Sequence, residues 1–316
     1  MPNRWRRLAA LPVLAWAALA AAALLAAGCS SSLAVGTTSA DGTIIAVGAE
    51  NQYADVIAQV GGQYVQASAI MSNPNTDPHT FEASASTGRL VNAARLVVQN
   101  GLGYDTFMDT IEKAVPDSGR RTIVVQKLLG LPDSTPNPHL WYDPATMPKV
   151  ADAIAANLAA IQPSHAAYFK ANAKTFTNSL SAWINAIGTF KQHYPGTPVA
   201  TTEPVADYLL QALGADNKTP WAFQADVMNG TDPSAQDVAI ERSLFTQHKV
   251  KAFLYNQQVT DSLTESFIAL ARASGIPVVG VYETMPEPGY RYQSWMLAEV
   301  RALQKAVASG VSSEHL

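Results

Sequence analysis

The chain has one cysteine, Cys29, in 316 residues, so no intrachain disulfide can hold it together. Histidine is also scarce, six in all. None of the six is followed by Glu, which excludes the His-Glu-x-x-His hydrolase signature, and none has a second His at zinc-finger spacing. Beyond the first 28 residues no apolar run is long enough to span a bilayer. Positive charge is thin: with Arg4, Arg6 and Arg7 of the opening segment set aside, 18 basic residues face 25 acidic ones, a formal net charge of −7. A polyanion such as nucleic acid is therefore not the expected partner.

What is present begins with an export signal. Residues 1–28 carry those three arginines, an apolar run from Leu8 to Ala27 and then Gly28 before Cys29, the layout of a segment removed on export rather than folded. Small residues before a lone Cys resemble a bacterial lipobox, with Ala26 standing where Leu is common. Lipidation of Cys29 is expected, followed by a flexible tether over 29–42, small and polar without periodicity. The alternative is an uncleaved N-terminal membrane anchor. Both keep the remainder outside the cytoplasm, attached to the cell membrane.

From residue 43 short apolar runs alternate with amphipathic stretches. Strands are expected at 43–48, 65–70, 96–99 and 122–126, and again at 198–202, 252–255 and 277–282, with helices between them. That alternation implies parallel sheets flanked by helices. Between the two alternating halves, 164–193 reads as one long helix, with Phe169, Ala173, Phe176, Leu180, Trp183, Ile187 and Phe190 on a single stripe. The fold class is thus α/β, with two similar lobes: an N-terminal lobe over 43–163, a connector helix within 164–196 and a C-terminal lobe over 197–316. In such folds ligands bind at the carboxyl ends of strands and between lobes.

Two of the six histidines sit directly after a proline, in Asp77-Pro78-His79 and in Asn137-Pro138-His139-Leu140-Trp141-Tyr142-Asp143-Pro144. Proline fixes its own φ and biases the preceding residue toward extended backbone, so each His leaves a stiffened loop in a set direction. The bland alternative is a turn with a His in it. Two carboxylates follow strands of the second half: Glu203 after 198–202, and Glu283 after 277–282. Glu203 also fits the simpler role of an acid at a helix N-terminus. Together His79, His139, Glu203 and Glu283 offer two imidazoles and two carboxylates from four strand ends, a set suited to a divalent transition metal.

These motifs, with Thr201-Thr202-Glu203 and Val281-Tyr282-Glu283 before helices, resemble the metal-binding solute-binding lipoproteins of ABC importers, the zinc and manganese receptor family that includes adhesin-like proteins. The resemblance implies two lobes bridged by a long helix, a metal buried between them, and delivery to an ABC permease and its ATPase by a monomeric receptor that is not an enzyme. It aligns His79 and His139 with the two N-lobe ligands. Glu203 falls where zinc-type members often carry His and manganese-type members Glu. The last ligand is usually Asp; here Glu283 and the adjacent Thr284 both align with it. An oxygen-rich donor set, and the lack of a His-rich loop between 80 and 138, lean toward Mn(II), with Zn(II) second and Fe(II) a further candidate.

The other histidines read as structural: His165 at the start of the connector, His193 at its end near the helix dipole, His248 in a polar turn and His315 in the tail. Trp141, Tyr142 and Tyr282 read as core aromatics able to screen the site from water. The rival reading is an exported metal-dependent hydrolase, in which two His and a carboxylate hold a catalytic metal and Glu283 acts as general base.

Overall fold

The alternation of short apolar runs with amphipathic helices builds two sheets, seen in a computed structural model that describes residues 42–73, 81–82, 84–286 and 289–316. The first sheet contains β1 (Ile44–Glu50), β2 (Val65–Met71), β3 (Leu96–Gln99) and β4 (Arg121–Val124), in the order β2-β1-β3-β4 and parallel throughout. The second contains β5 (Pro198–Thr201), β6 (Asp216–Asn217), β7 (Ala252–Asn256) and β8 (Val278–Val281), in the order β6-β5-β7-β8, again all parallel. The two sheets therefore repeat one topology. In each, chain direction reverses its lateral course at the first strand, the switch point at which ligand loops converge.

The helices are α1 (Asn51–Gly61), α2 (Ala85–Ala93), α3 (Thr106–Ala114), the single turn α4 (Val125–Leu128), α5 (Thr146–Ile161), α6 (Ala166–Ser179), α7 (Ser181–His193), α8 (Asp207–Leu213), α9 (Trp221–Met228), α10 (Ala235–Thr246), α11 (Ser262–Ala273) and α12 (Tyr292–Ser309). Among the described residues no helix is long and apolar enough to cross a membrane. Three details depart from the sequence reading. The strand expected over 122–126 ends at Val124, because Val125–Leu128 turns into α4. The two-residue β6 and the helix α9 were not anticipated; β6 is too short to carry a period, and α9 has apolar residues on all sides.

The third concerns the connector, which runs as a 3-10 turn, Pro163–His165, followed by α6 and α7, abutting at Leu180. Hydrogen bonding continues through the junction: Leu180 N donates to Thr177 O (3.2 Å) and Ile184 N to Leu180 O (3.0 Å). The tightening follows from a run of weak helix formers, Thr177, Asn178 and Ser179, in which the Ser179 hydroxyl donates back to Phe176 O at 2.6 Å. The expected stripe is intact, since all seven of its apolar residues are buried. Phe176 and Trp183 meet Tyr292 of α12, ring centroids 6.1 and 5.9 Å apart.

Helix α12 also reaches the first half. Asp55 on α1 accepts from Tyr292 N (2.9 Å), and Gln59 pairs with Gln293 in both directions at 3.0 Å. One hydrophobic cluster accordingly runs from β1 through the connector to β8 and α12, while a smaller one around Phe245, Phe253 and Phe267 lies on the other face of the second sheet.

Replacing Phe176 with Ala should cost about 3–5 kcal/mol of stability by denaturant titration, the usual penalty for an emptied aromatic site. A cost below about 1 kcal/mol would mean that the connector is not packed as described. Glu299 on α12 generates a second prediction. It is buried and accepts from Trp295 Nε1 (2.9 Å) and Tyr142 Oη (3.1 Å), and burial pushes its carboxyl up to about 8. The folded chain keeps a proton there that the unfolded chain releases, so this group's contribution is complete below the ordinary carboxyl range and is lost as pH rises toward 8. Glu299→Gln, which keeps the accepting oxygen, should match wild type in melting temperature at pH 5 and exceed it by pH 8. Parallel pH profiles for the two would refute the buried titration.

Candidate metal centre

The His139 loop is organised by Asn137. Its Oδ1 accepts from His139 N at 3.0 Å and lies 2.8 Å from His139 Nδ1, while its Nδ2 donates to Pro204 O at 2.8 Å. A backbone N–H can only donate and a carbonyl only accept, so both contacts fix which end of the amide is oxygen. Nδ1 of His139 then carries a hydrogen, so that in the neutral ring the lone pair is on Nε2. The Pro204 contact also ties the His139 loop to the residue directly after Glu203, and Tyr208 Oη donates to Asn137 O (2.9 Å). On the other side Asn100, at the end of β3, donates to Pro138 O (2.8 Å) and accepts from Tyr53 Oη (2.6 Å). His139 is wholly buried, its ring edge-on to Tyr104 and Trp141.

His139 Nε2 faces Glu283 Oε2 at 3.5 Å. Glu283 follows β8, and both lobes grip its backbone: Gln258 Oε1 accepts from Glu283 N (2.6 Å) and Thr284 N (2.8 Å), while Gln52 Nε2 donates to Glu283 O (3.2 Å). Asn51 pairs with both backbone groups of Met285, at 2.7 and 2.8 Å. Oε2 of Glu283 accepts from Tyr104 Oη at 2.8 Å. Its Oε1 accepts from Asn256 Nδ2 at 2.5 Å, and the same amide reaches Glu203 Oε1 at 3.2 Å. Asn256, the last residue of β7, thus bridges the two carboxylates. The neighbouring Thr284 turns its hydroxyl away, accepting from Gln258 Nε2 (2.8 Å).

The structure therefore brings His139, Glu203 and Glu283 to one buried place; Glu203 and Glu283 follow the ends of β5 and β8, but His139, expected at a strand end, lies on the loop after α4 because Val125–Leu128 turns helical. His79, and with it Asp77-Pro78, lies outside the described residues, as does Cys29. Among the described residues no three His, Cys, Asp or Glu side chains converge at metal-holding distances. Of the other histidines, His165 is half-buried and stacks on Tyr64 (centroids 3.7 Å apart), and His193 Nδ1 lies 2.8 Å from Thr189 O at the end of α7.

The charge balance of the interior is one-sided. Glu50, Asp105, Glu203, Glu241, Glu283 and Glu299 are all buried, and among the described residues no Lys or Arg is. Asp105 is partly relieved by backbone donors, Asn100 N (2.5 Å) and Gly101 N (2.9 Å), yet burial still pushes its carboxyl up to about 6. Tyr104 is pushed well above the usual phenol range by burial and by the nearby Glu283 and Glu50 carboxylates, so it stays a donor to Glu283. Sequence reading missed Asn137, Asn256, Tyr104 and Glu50. The strand-end rule alone would have found Glu50 and Asn256, had β1 and β7 been carried to their last residues.

Comparison with known proteins supplies the family and the fold. The family model described as ZnuA, zinc-uptake complex component A, periplasmic, matches residues 47–306. The chain belongs to this family. Among its relatives is the manganese-binding lipoprotein MntA of Bacillus subtilis, 23% identical over 245 residues, covering 75% of this chain and 78% of that one. The periplasmic zinc-binding protein TroA of Treponema pallidum superposes with a TM-score of 0.71 at 18% identity, over 85% of this chain and 100% of TroA. A Mn-bound periplasmic metal-binding protein from Candidatus Liberibacter asiaticus gives a TM-score of 0.68 at 17% identity, over 85% and 100% of the two chains. The superpositions establish the fold.

Replacing Asn256 with Leu removes the donor that Glu203 and Glu283 share, and should destabilise the metal-free protein by about 1–3 kcal/mol in denaturant. Wild-type stability in this variant would refute the bridge.

Proposed function

We propose that this protein is an extracytoplasmic receptor that captures one divalent transition metal and passes it to an ABC permease and its ATPase. The observation that carries the reading is the meeting of His139 Nε2 with Glu283 Oε2 at 3.5 Å in a fully buried setting. With the hydrogen held on Nδ1 by Asn137, two electron-rich atoms face each other, and a cation or proton between them removes the repulsion. The absence of buried Lys or Arg among the described residues supports a cation from outside.

The proposed ligands are His139, Glu203 and Glu283, with His79 as the fourth from its own loop. The lobes around them are 43–163 and 197–316, joined through 164–196. Glu283 is preferred to Thr284 because its carboxylate turns toward His139 while the Thr284 hydroxyl is engaged with Gln258. The donor set is rich in oxygen, which favours Mn(II), with Zn(II) next and Fe(II) third; relatives named for manganese and for zinc both occur in the family. Anchoring through a lipid on Cys29, after removal of 1–28, fits a family described as periplasmic and a relative named as a lipoprotein. Function would consist of binding, lobe closure and docking as a monomer, without bond chemistry. The exported hydrolase draws no support from the family or the relatives.

Titration of chelator-stripped protein with Mn(II), Zn(II) and Fe(II) should give one site per chain, and His139→Ala should weaken binding at least a hundredfold. Imidazole must be neutral to bind, so affinity should fall on acidification from pH 8 to 5. Binding unchanged in the His139 variant would refute the site, and no binding of any metal to wild type would refute the receptor.

A further inference from the structure

Glu50 is the last residue of β1, the strand at the switch point of the first sheet, and it pairs with Met71, the last residue of β2. It is wholly buried, and among the described residues neither carboxylate oxygen has a hydrogen-bond partner of normal geometry. Although it occupies the N-cap position of α1, its side chain does not cap that helix. A carboxylate stripped of water with no donor is costly, and native proteins keep such a group where an ion or a function accounts for it.

Its surroundings point to which ion. The two residues after it, Asn51 and Gln52, hold Met285 and the carbonyl of Glu283. Tyr53, next along, holds Asn100, which in turn holds the carbonyl before His139. Burial raises the Glu50 carboxyl well above its ordinary range, and the Asp105 and Glu283 carboxylates add to the rise; its own backbone N–H gives partial relief. Glu50 and Glu283 both act on Tyr104, and the two residues after Glu50 bond to the backbone at 283 and 285, which sets Glu50 beside the Glu283 loop. No buried Lys or Arg is described that could answer this charge.

We infer that the Glu50 carboxylate is a further oxygen ligand of the captured metal, one that raises the coordination number and favours Mn(II) over Zn(II). The inference rests on the receptor reading. Zinc is satisfied by four donors in a tetrahedron, whereas manganese takes a larger, oxygen-dominated shell. A third carboxylate beside Glu203 and Glu283 therefore strengthens manganese binding more than zinc binding.

The test compares wild type with Glu50→Gln, both stripped of metal. Affinities for Mn(II) and for Zn(II) are measured against a competing chelator, and the metal-free melting temperature is recorded. A ligand role predicts that Glu50→Gln loses at least ten times more affinity for Mn(II) than for Zn(II), while its metal-free form melts at or above wild type because an unpartnered buried carboxylate has gone. Equal weakening for both ions, as expected from charge acting at a distance, overturns the inference. So does unchanged Mn(II) affinity, or a metal-free variant that melts lower and loses both ions together. If wild type itself binds neither ion, the receptor reading has failed, and that outcome is distinct from wild type binding with Glu50→Gln indistinguishable from it.

Discussion

Six acids are buried among the described residues without one buried lysine or arginine to answer them, and the interior is arranged around that imbalance. Three solutions appear among the five other than Glu50. Glu299 and Glu241 are raised to about 8 by burial and so keep their protons at neutral pH. Asp105 turns to backbone N–H groups at the end of β3. Glu203 and Glu283 share the amide of Asn256 and face His139, whose hydrogen is held on the far side of the ring by Asn137. The first two solutions close the electrostatic account inside the protein. The third asks for a cation, and it is the one built from strand ends of the second sheet and the His139 loop of the first half.

Much of this was legible in the sequence because the local signals agreed. The parallel strands read as apolar runs since both faces are covered, and the connector stripe was visible because seven apolar residues repeat at helical spacing over 22 positions, 169–190. His139 was conspicuous for its place after a proline and among aromatics. The parts that escaped are those whose meaning depends on distance in space. Asn137 and Asn256 are ordinary turn and strand-end residues in sequence, and their roles come from holding groups 67 and 53 positions away, Pro204 and Glu203 respectively. The junction at Leu180 was hidden because the tightened turn leaves the apolar stripe in phase. Glu283 and Thr284 could not be ranked from spacing, since adjacent residues after a strand differ only in which way each side chain turns.

The same long-range bonds bear on how a receptor of this kind would release its cargo. Asn51 and Gln52 from the first half grip Glu283 and Met285 in the second, and Asp55 and Gln59 hold the start of α12. All four of those side chains project from one helix, α1, whose first turn follows Glu50. Helix α1 is set closely on its strand: a Cβ on Gly48 would lie 2.4 Å from Ala54 N. A movement that opens the His139–Glu283 contact must therefore either break the amide pairs to 283–285 or shift α1 together with the second half, carrying Glu50 with it. The His139 loop is itself tied to both halves, through Asn100 to Pro138 O and through Asn137 to Pro204 O, so neither movement leaves it behind without breaking one of these bonds. A buried place tied across both halves in this way opens only by breaking such side-chain pairs, and it can do so without unfolding any strand of either sheet.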